Sequence, residues 1–422
     1  MTPQISTLFN QAKESPTLLI NQKVLNLRQK GKDIYHFGFG QSPFLPPPQL
    51  QEELKNNSHH NEYLPTKGLL ALREKISKFL KQHFKYNFDP DHILIGPGSK
   101  EMLFQALFAL EGPLFIPAPS WVSYGPQASF CNKEVHILPT SIENGYKLKK
   151  EVLEKACKRF YKQQQKILII NSPNNPSGAV YHKEEILPLV EVCREHNILV
   201  ISDEIYALVN FSSDKKQGFP TYYPEGSLLT SGLSKSHSAG GYRLGFIALP
   251  PQLSSLADAL TSLMSETFSS VAAPIQYASC VAYEKSALDY TQKCTLIHKV
   301  CAQYLHQRLQ KMGLLCPKPE GGFYLFPSFS SYKEKLKKRG IQSSTELSLY
   351  LLEKHSVALL PGSAFYMPEE SFTCRMSTVD YDGPKVFKAA QDTKTLSEAF
   401  VEEQAPHLKK GCDAIESFLS QL

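Results

Sequence analysis

Two short apolar runs, Lys166–Asn171 (KILIIN) and Ile198–Asp203 (ILVISD), frame a stretch with helical spacing, Lys183–His196 (KEEILPLVEVCREH). Runs this short, rich in β-branched residues and ending in turn or acidic residues, read as buried strands. Strand, helix, strand in that rhythm requires parallel pairing with right-handed crossovers. Ser227–Ser231 and Gly245–Leu249 read as further strands. From Gln292 to Lys311 the pattern is one long helix, after which the alternation loosens and a composition shift near Cys316-Pro317-Lys318-Pro319 marks a second unit. The expected fold is α/β: a large domain, residues 46–300, with a mostly parallel sheet flanked by helices, and a smaller α/β domain from residues 1–45 and 301–422. A chain of 422 residues has room for both and buries enough surface to need no disulfide framework.

Charge narrows the function classes. The 46 Lys+Arg and 40 Asp+Glu leave a net charge of +6, spread without a dominant basic stripe, so neither nucleic acid nor a membrane surface is the expected partner. No apolar run approaches the ~18–20 residues that span a bilayer. The nine cysteines are scattered and never form a Cys-x-x-Cys pair, which points to reduced thiols and a cytoplasmic protein. Cys294, His298 and Cys301 share a helix face but supply three ligands without a visible fourth, so no metal is expected.

In an open parallel sheet, ligands bind beyond the carboxyl ends of the strands, and three clusters lie there. Ser172-Pro173-Asn174-Asn175-Pro176-Ser177-Gly178 follows the first strand and presents the Asn175 amide. Read blandly, it is a tight turn. Asp203-Glu204-Ile205-Tyr206 ends the second strand, where a buried Asp203 can hold a cationic ring nitrogen and Tyr206 can donate to a nearby oxygen; alternatively, the acids cap a helix. Ser234-Lys235 closes an apolar stretch, and Arg243 lies in the Gly-rich turn Gly240–Gly245, where backbone can approach a phosphate. An amine nucleophile, a partner for a pyridinium, a hydroxyl and an amide for a phenolate, and a phosphate-binding Arg form the inventory of a pyridoxal phosphate site.

In order and spacing these clusters resemble the fold-type I, class I/II aminotransferases, of the aspartate aminotransferase type, and the likeness extends over most of the chain. Gly98-Ser99-Lys100 looks like the family's phosphate loop at the start of the helix Glu101–Leu110. Trp121, the sole tryptophan, matches the aromatic residue stacked on the cofactor ring; ordinary core packing is its bland alternative. Tyr63, in Tyr63-Leu64-Pro65-Thr66-Lys67-Gly68, resembles the tyrosine that reaches the phosphate of a neighbouring subunit, which implies a homodimer with shared active sites. Gly40 and Arg375 match the positions that hold the substrate α-carboxylate, a task suited to the planar fork of arginine. One departure is Gly232, where many members carry a phosphate-binding Ser, which leaves Ser231 or Ser234 to take its place.

The resemblance implies a Schiff base between Lys235 and pyridoxal 5′-phosphate, with the released Lys235 amine as general base, Asp203 keeping the ring nitrogen protonated, and Tyr206 and Asn175 bonded to the ring oxygen. The stretch Ser262–Pro274 has no Arg or Lys to read a distal carboxylate. Lys100 matches a lysine that does so in a related branch, with Ser15 and Thr17 matching its helper hydroxyls. The expected reaction moves an amino group from aspartate or glutamate to a 2-oxo acid such as 2-oxoglutarate. Alternatives on the same scaffold are an aminotransferase for aromatic or other neutral amino acids, a β-lyase or a decarboxylase. A ligand-sensing regulator would need a DNA-binding segment, and a nicotinamide oxidoreductase a Gly-x-Gly-x-x-Gly after a strand; neither is present.

Overall fold

The computed structural model describes residues 16–212, 217–393 and 395–422, together with residues 3, 4, 6 and 9. In chain order its strands are β1 (Tyr35–His36), β2 (Ile93–Gly96), β3 (Leu114–Ala118), β4 (Val135–Pro139), β5 (Lys166–Asn171), β6 (Ile198–Asp203), β7 (Ser227–Gly232), β8 (Gly245–Ala248), β9 (Tyr324–Leu325), β10 (Val357–Ala358), β11 (Leu360–Pro361) and β12 (Cys374–Ser377). Seven of them form one sheet in the order β2-β8-β7-β6-β5-β3-β4. β4, β3, β5, β6 and β7 pair in parallel, whereas β8 runs antiparallel to both β7 and β2. The reversal has a local cause. The β7–β8 connection holds turns and the 3₁₀ segment Gly240–Tyr242 but no α-helix, the element that usually carries the crossover between parallel strands.

Apart from its edge strand β4, the sheet is buried on both faces, as its uninterrupted apolar strands require. Successive residues alternate between the two sides: Ile167 and Ile169 of β5 and Leu199 and Ile201 of β6 face one core, while Leu168, Ile170, Ile198 and Val200 face another. The helix Lys183–Glu195 covers the second core with Ile186, Leu189, Val190 and Cys193, and begins in a capping box between His182 and Glu185.

A third, larger core lies outside the sheet. It gathers Phe37 and Phe44 with residues from Cys294 to Leu419. Its spine is the helix Lys285–Lys311, which begins before the expected Gln292 because its first turns, KSALDYT, carry little apolar periodicity. Cys294 and Cys301 pack into this core, and His298 lies edge-on to Phe44 with ring centres 5.1 Å apart. The N-terminal segment joins the same body: β1 pairs with β10, Tyr35 opposite Val357. The C-terminal helix, Pro406–Ser420, buries Leu408, Cys412, Ile415, Phe418 and Leu419.

The start of β8 is packed tightly enough to forbid a side chain. A Cβ on Gly245 would lie 2.4 Å from the Ser99 amide nitrogen and 2.6 Å from the Gly98 carbonyl carbon, both rigid backbone. Gly245→Ala should therefore cost about 1–3 kcal/mol through forced backbone movement, read as a lower urea midpoint. An unchanged midpoint would show that the helix start gives way without cost.

Candidate active site

Five of the strands end at one rim of the sheet, and the residues that follow them converge on a cavity of about 450 Å³. Ser99 opens the helix Ser99–Ala109 after β2, Trp121 follows β3, Asn175 follows β5, Asp203 ends β6 and Lys235 follows β7. β8 runs the other way, so its entry brings Arg243 to the same rim. Gly40, from the N-terminal segment, and Arg375, from β12, close the cavity from the other body.

Lys235 Nζ lies 2.9 Å from the Gly40 carbonyl, with the Tyr206 and Phe323 ring centres each 5.7 Å away. A side chain at Gly40 is excluded because its Cβ would fall 1.8 Å from the Tyr324 hydroxyl. Asp203 is 3 % exposed. It accepts the Tyr124 hydroxyl at 2.6 Å and the Ile205 N–H at 3.3 Å. Burial raises its pKa to about 6, against the opposing pull of Tyr124, the Ile205 amide and the Lys235 charge. The Tyr206 hydroxyl is 3.0 Å from that of Tyr324, which in turn donates to the Gly40 carbonyl at 3.3 Å.

Arg375 is 1 % exposed. Its Nη1 donates to Asn175 Oδ1 at 3.1 Å and its Nη2 to the Gly38 carbonyl at 2.7 Å, and its guanidinium stacks 4.5 Å from the Tyr324 ring centre. Its Nε is buried and has no hydrogen-bond partner among the described residues, and burial lowers its pKa. Arg243 sits at φ 52°, in the left-handed region, and bonds the carbonyls of Gly240 and Pro97 at 2.8 and 3.0 Å. The N-terminus of the helix Ser99–Ala109 has no side-chain cap. Lys100 holds its ammonium 5.0 Å over the Trp121 ring, and burial, followed by Arg243 and Lys235, lowers its pKa although the residue is exposed at the rim. Among the described residues, Lys100, Lys235, Arg243 and Arg375 line the cavity against one carboxylate, Asp203, a balance that favours anions.

The cavity thus gathers Gly40, Ser99, Lys100, Trp121, Asn175, Asp203, Tyr206, Ser234, Lys235, Arg243 and Arg375 from the sequence-derived set. Tyr63 is not among its lining residues and is 93 % exposed. Of the two serines that might replace the hydroxyl lost at Gly232, Ser234 faces the cavity, whereas Ser231 donates to the Glu204 carbonyl at 3.2 Å. Ser15 and the side chain of Thr17 lie outside the described residues. Three positioning residues went unassigned: Tyr124, Tyr324, and Asn171, which accepts the Asn175 N–H at 2.7 Å and donates to the Asp203 carbonyl at 2.9 Å. Tyr124 stands in the stretch that carries Trp121, and Asn171 ends an identified strand, so both had a local signal. Tyr324, in Gly321-Gly322-Phe323-Tyr324, reaches the site only through the fold.

The family described as aminotransferase class I and II matches residues 32–381. The chain is 34% identical to a probable aspartate/prephenate aminotransferase of Aquifex aeolicus, over 87% of this chain and 93% of that protein. It is 32% identical to an aspartate aminotransferase of Bacillus subtilis, over 84% and 90%. Among solved structures, an aspartate aminotransferase of Thermotoga maritima superposes with a TM-score of 0.80 at 28% identity, covering 99% of this chain and 100% of that one.

The raised pKa of Asp203 has a consequence for protein without a bound cation. The folded-state value of about 6 exceeds the ordinary aspartate value of 3.8, so this group's favourable contribution is full below about pH 4 and is lost as pH rises through 6. Asp203→Asn should flatten that loss, of which about 2 kcal/mol falls between pH 4.5 and 7, in cofactor-free protein melted across that range. Parallel melting curves for the two proteins would contradict a buried, reluctantly ionised Asp203.

Proposed function

This chain belongs to the class I and II aminotransferases, and we propose that within that family it takes the amino group of a dicarboxylic amino acid, aspartate or glutamate, and passes it to a 2-oxo acid such as 2-oxoglutarate. Its cofactor is pyridoxal 5′-phosphate, and the donor set suits that group. A helix start without a side-chain cap, next to Arg243 and Ser234, offers a phosphate cradle, and a Cβ on Gly98 would close it by lying 2.4 Å from Arg243 Nη2. A buried acid, Asp203, stands ready for a cationic ring nitrogen, and an aromatic face, Trp121, lines the same space. When bound, the cofactor supplies an aldehyde that exchanges amino groups and a ring that takes up the electrons of the substrate Cα–H bond.

The chain's own residues divide the remaining work. Lys235 Nζ would hold the cofactor through its aldehyde carbon, whose oxygen leaves as water, and when free its amine would serve as the base that moves the substrate α-proton. Asp203 would hold the ring nitrogen and keep its proton in place, since an ion pair would offset the cost of its burial. Tyr206 and the Asn175 amide donate to the ring oxygen. Arg243, Ser99 and Ser234 hold the phosphate, with Tyr63 reaching that group in a second copy of the chain. Arg375 and the Gly40 segment bind the substrate α-carboxylate, and Lys100 the distal one.

The observation that carries this reading is Arg375: a buried guanidinium whose partners are neutral oxygens and whose Nε has none. A buried cation left in that state is costly, and a substrate carboxylate is the group that completes it. Lys100 at the rim adds the second charge. Leu18 and Phe39 also line the cavity, and this apolar wall favours neutral or aromatic donors as the second reading. The homodimer rests on Tyr63 and on Leu45, Leu70 and Phe108, which are 54 %, 49 % and 58 % exposed. The nine free cysteines support a cytoplasmic protein. The division at residues 46–300 against 1–45 and 301–422 is supported by the β1–β10 pairing and the core shared by Phe37 and Leu419.

Lys235→Ala should abolish both turnover and the visible absorption of bound cofactor; turnover retained at wild-type rate would remove Lys235 from its role. Lys100→Met should cut the preference for aspartate over alanine by roughly 10–100-fold in kcat/KM, the worth of a charge-assisted hydrogen bond. An unchanged preference would leave Lys100 without a part in specificity.

A further inference from the structure

The segment Tyr35–Gly40 roofs the cavity, where Phe39 and Gly40 line it. It is zipped along β12 by three contacts. His36 N–H donates to Asp380 Oδ2 at 2.7 Å, Ser377 N–H to the Phe37 carbonyl at 2.8 Å, and Arg375 to the Gly38 carbonyl at 2.7 Å. Arg375 has a role in the site; Asp380, at the far end of the row, has none so far. Asp380 Oδ1 takes Arg28 Nη2 at 3.2 Å, and the same nitrogen reaches the Ile34 carbonyl at 2.7 Å. His407 Nδ1 lies 3.2 Å from Asp380 Oδ2. Burial alone would raise the pKa of Asp380, but hydrogen bonds from His407 and the His36 amide, with the Arg28 charge, bring it below the ordinary carboxylate value.

Both flanks of this knot lead back to the cavity. Arg28 stands in the last turn of the helix Pro16–Gln29, whose Leu18 lines the cavity. At about 1.5 Å of rise per residue the tie is about 15 Å from Leu18. Ile20 of that helix and Trp121 pack against the same apolar cluster. On the other side, the helix Pro406–Ser420 supplies His407 and presses Gly411 on the roof, where a Cβ would fall 2.4 Å from the Phe37 ring. That helix lies beyond residue 381, where the family match ends.

We infer that Asp380 is a positioning residue for substrate binding: with the helix Pro406–Ser420 it sets how closely Tyr35–Gly40 and the helix Pro16–Gln29 sit over the cavity. The inference rests on the cavity being the amino-acid site, not on which amino acid it takes. A structural role alone would lower stability and leave the cavity unchanged.

The test compares holoenzyme carrying Asp380→Asn, Asp380→Glu, Arg28→Met or the Asn/Met pair with wild type. Two quantities are read: KM and kcat for the amino donor that wild type uses, and acrylamide quenching of Trp121, the sole tryptophan. Asp380→Asn and Arg28→Met should each raise KM about 5–20-fold, the scale of one lost charge-assisted contact, with kcat within about twofold. Trp121 should be quenched about twice as readily in both, Asp380→Glu should recover most of each effect, and the pair should be no worse than Asp380→Asn. A lower melting temperature with KM and quenching unchanged would overturn the inference, as would additive effects in the pair. Should Asp380→Asn fail to fold, Arg28→Met, altered at a partly exposed residue, decides alone. If wild type turns over no amino donor, the proposed function fails, while the quenching comparison still decides whether Asp380 positions the roof.

Discussion

A guanidinium buried without a counter-charge is the constraint around which this molecule is arranged. Arg375 is held by the Asn175 amide oxygen, the Gly38 carbonyl and the Tyr324 ring, none of which neutralises it. Taking a cation out of water costs several kcal/mol unless an anion repays it. The fold accepts that cost by drawing three distant pieces of chain around the group: the loop after β5, the N-terminal segment and β9. Each of the three also contributes a lining residue, Asn175, Gly40 and Tyr324. Holding the cation ready thus shapes the cavity as well.

Asp203 presents the complementary problem. Without a cation beside it, burial pushes its pKa up to about 6, so near neutrality it is ionised at a cost. Tyr124 holds the carboxylate in place with a 2.6 Å hydrogen bond and meets Trp121 edge-on at 5.3 Å. The acid and the aromatic face are therefore set by one residue. A cationic ring between them would satisfy the acid, and an anionic substrate would satisfy Arg375, so each burial penalty would be relieved by the ligand proposed for that place. The protein stores an electrostatic preference for its ligands instead of maximal stability.

How much of this was legible in the sequence follows from the range of the signals. β5, β6 and the helix between them were readable because apolar runs and 3.6-residue spacing are local, and so were Asp203, which ends β6, and Asn175 and Lys235, which follow β5 and β7 within four residues. The antiparallel course of β8 was not, since direction depends on the length and shape of the connection through Gly240–Tyr242. Tyr324 was missed because its neighbours in space, Tyr206 and Gly40, are far away in sequence. The choice between Ser231 and Ser234 needed side-chain directions that a run of serines does not encode. The early start of the helix at Lys285 was hidden by polar first turns whose order comes from packing.

The cavity is read as cofactor-loaded, cation-lined and selective for dicarboxylic amino acids. That reading is tested most directly by the visible absorption spectrum of the purified protein with bound pyridoxal phosphate, titrated separately with aspartate, glutamate, alanine and phenylalanine. The account predicts a visible band that is lost with aspartate or glutamate at concentrations where alanine and phenylalanine leave it intact. A band lost equally with alanine or phenylalanine would contradict the selectivity assigned to Lys100, and no band at all after adding the cofactor would contradict the site itself.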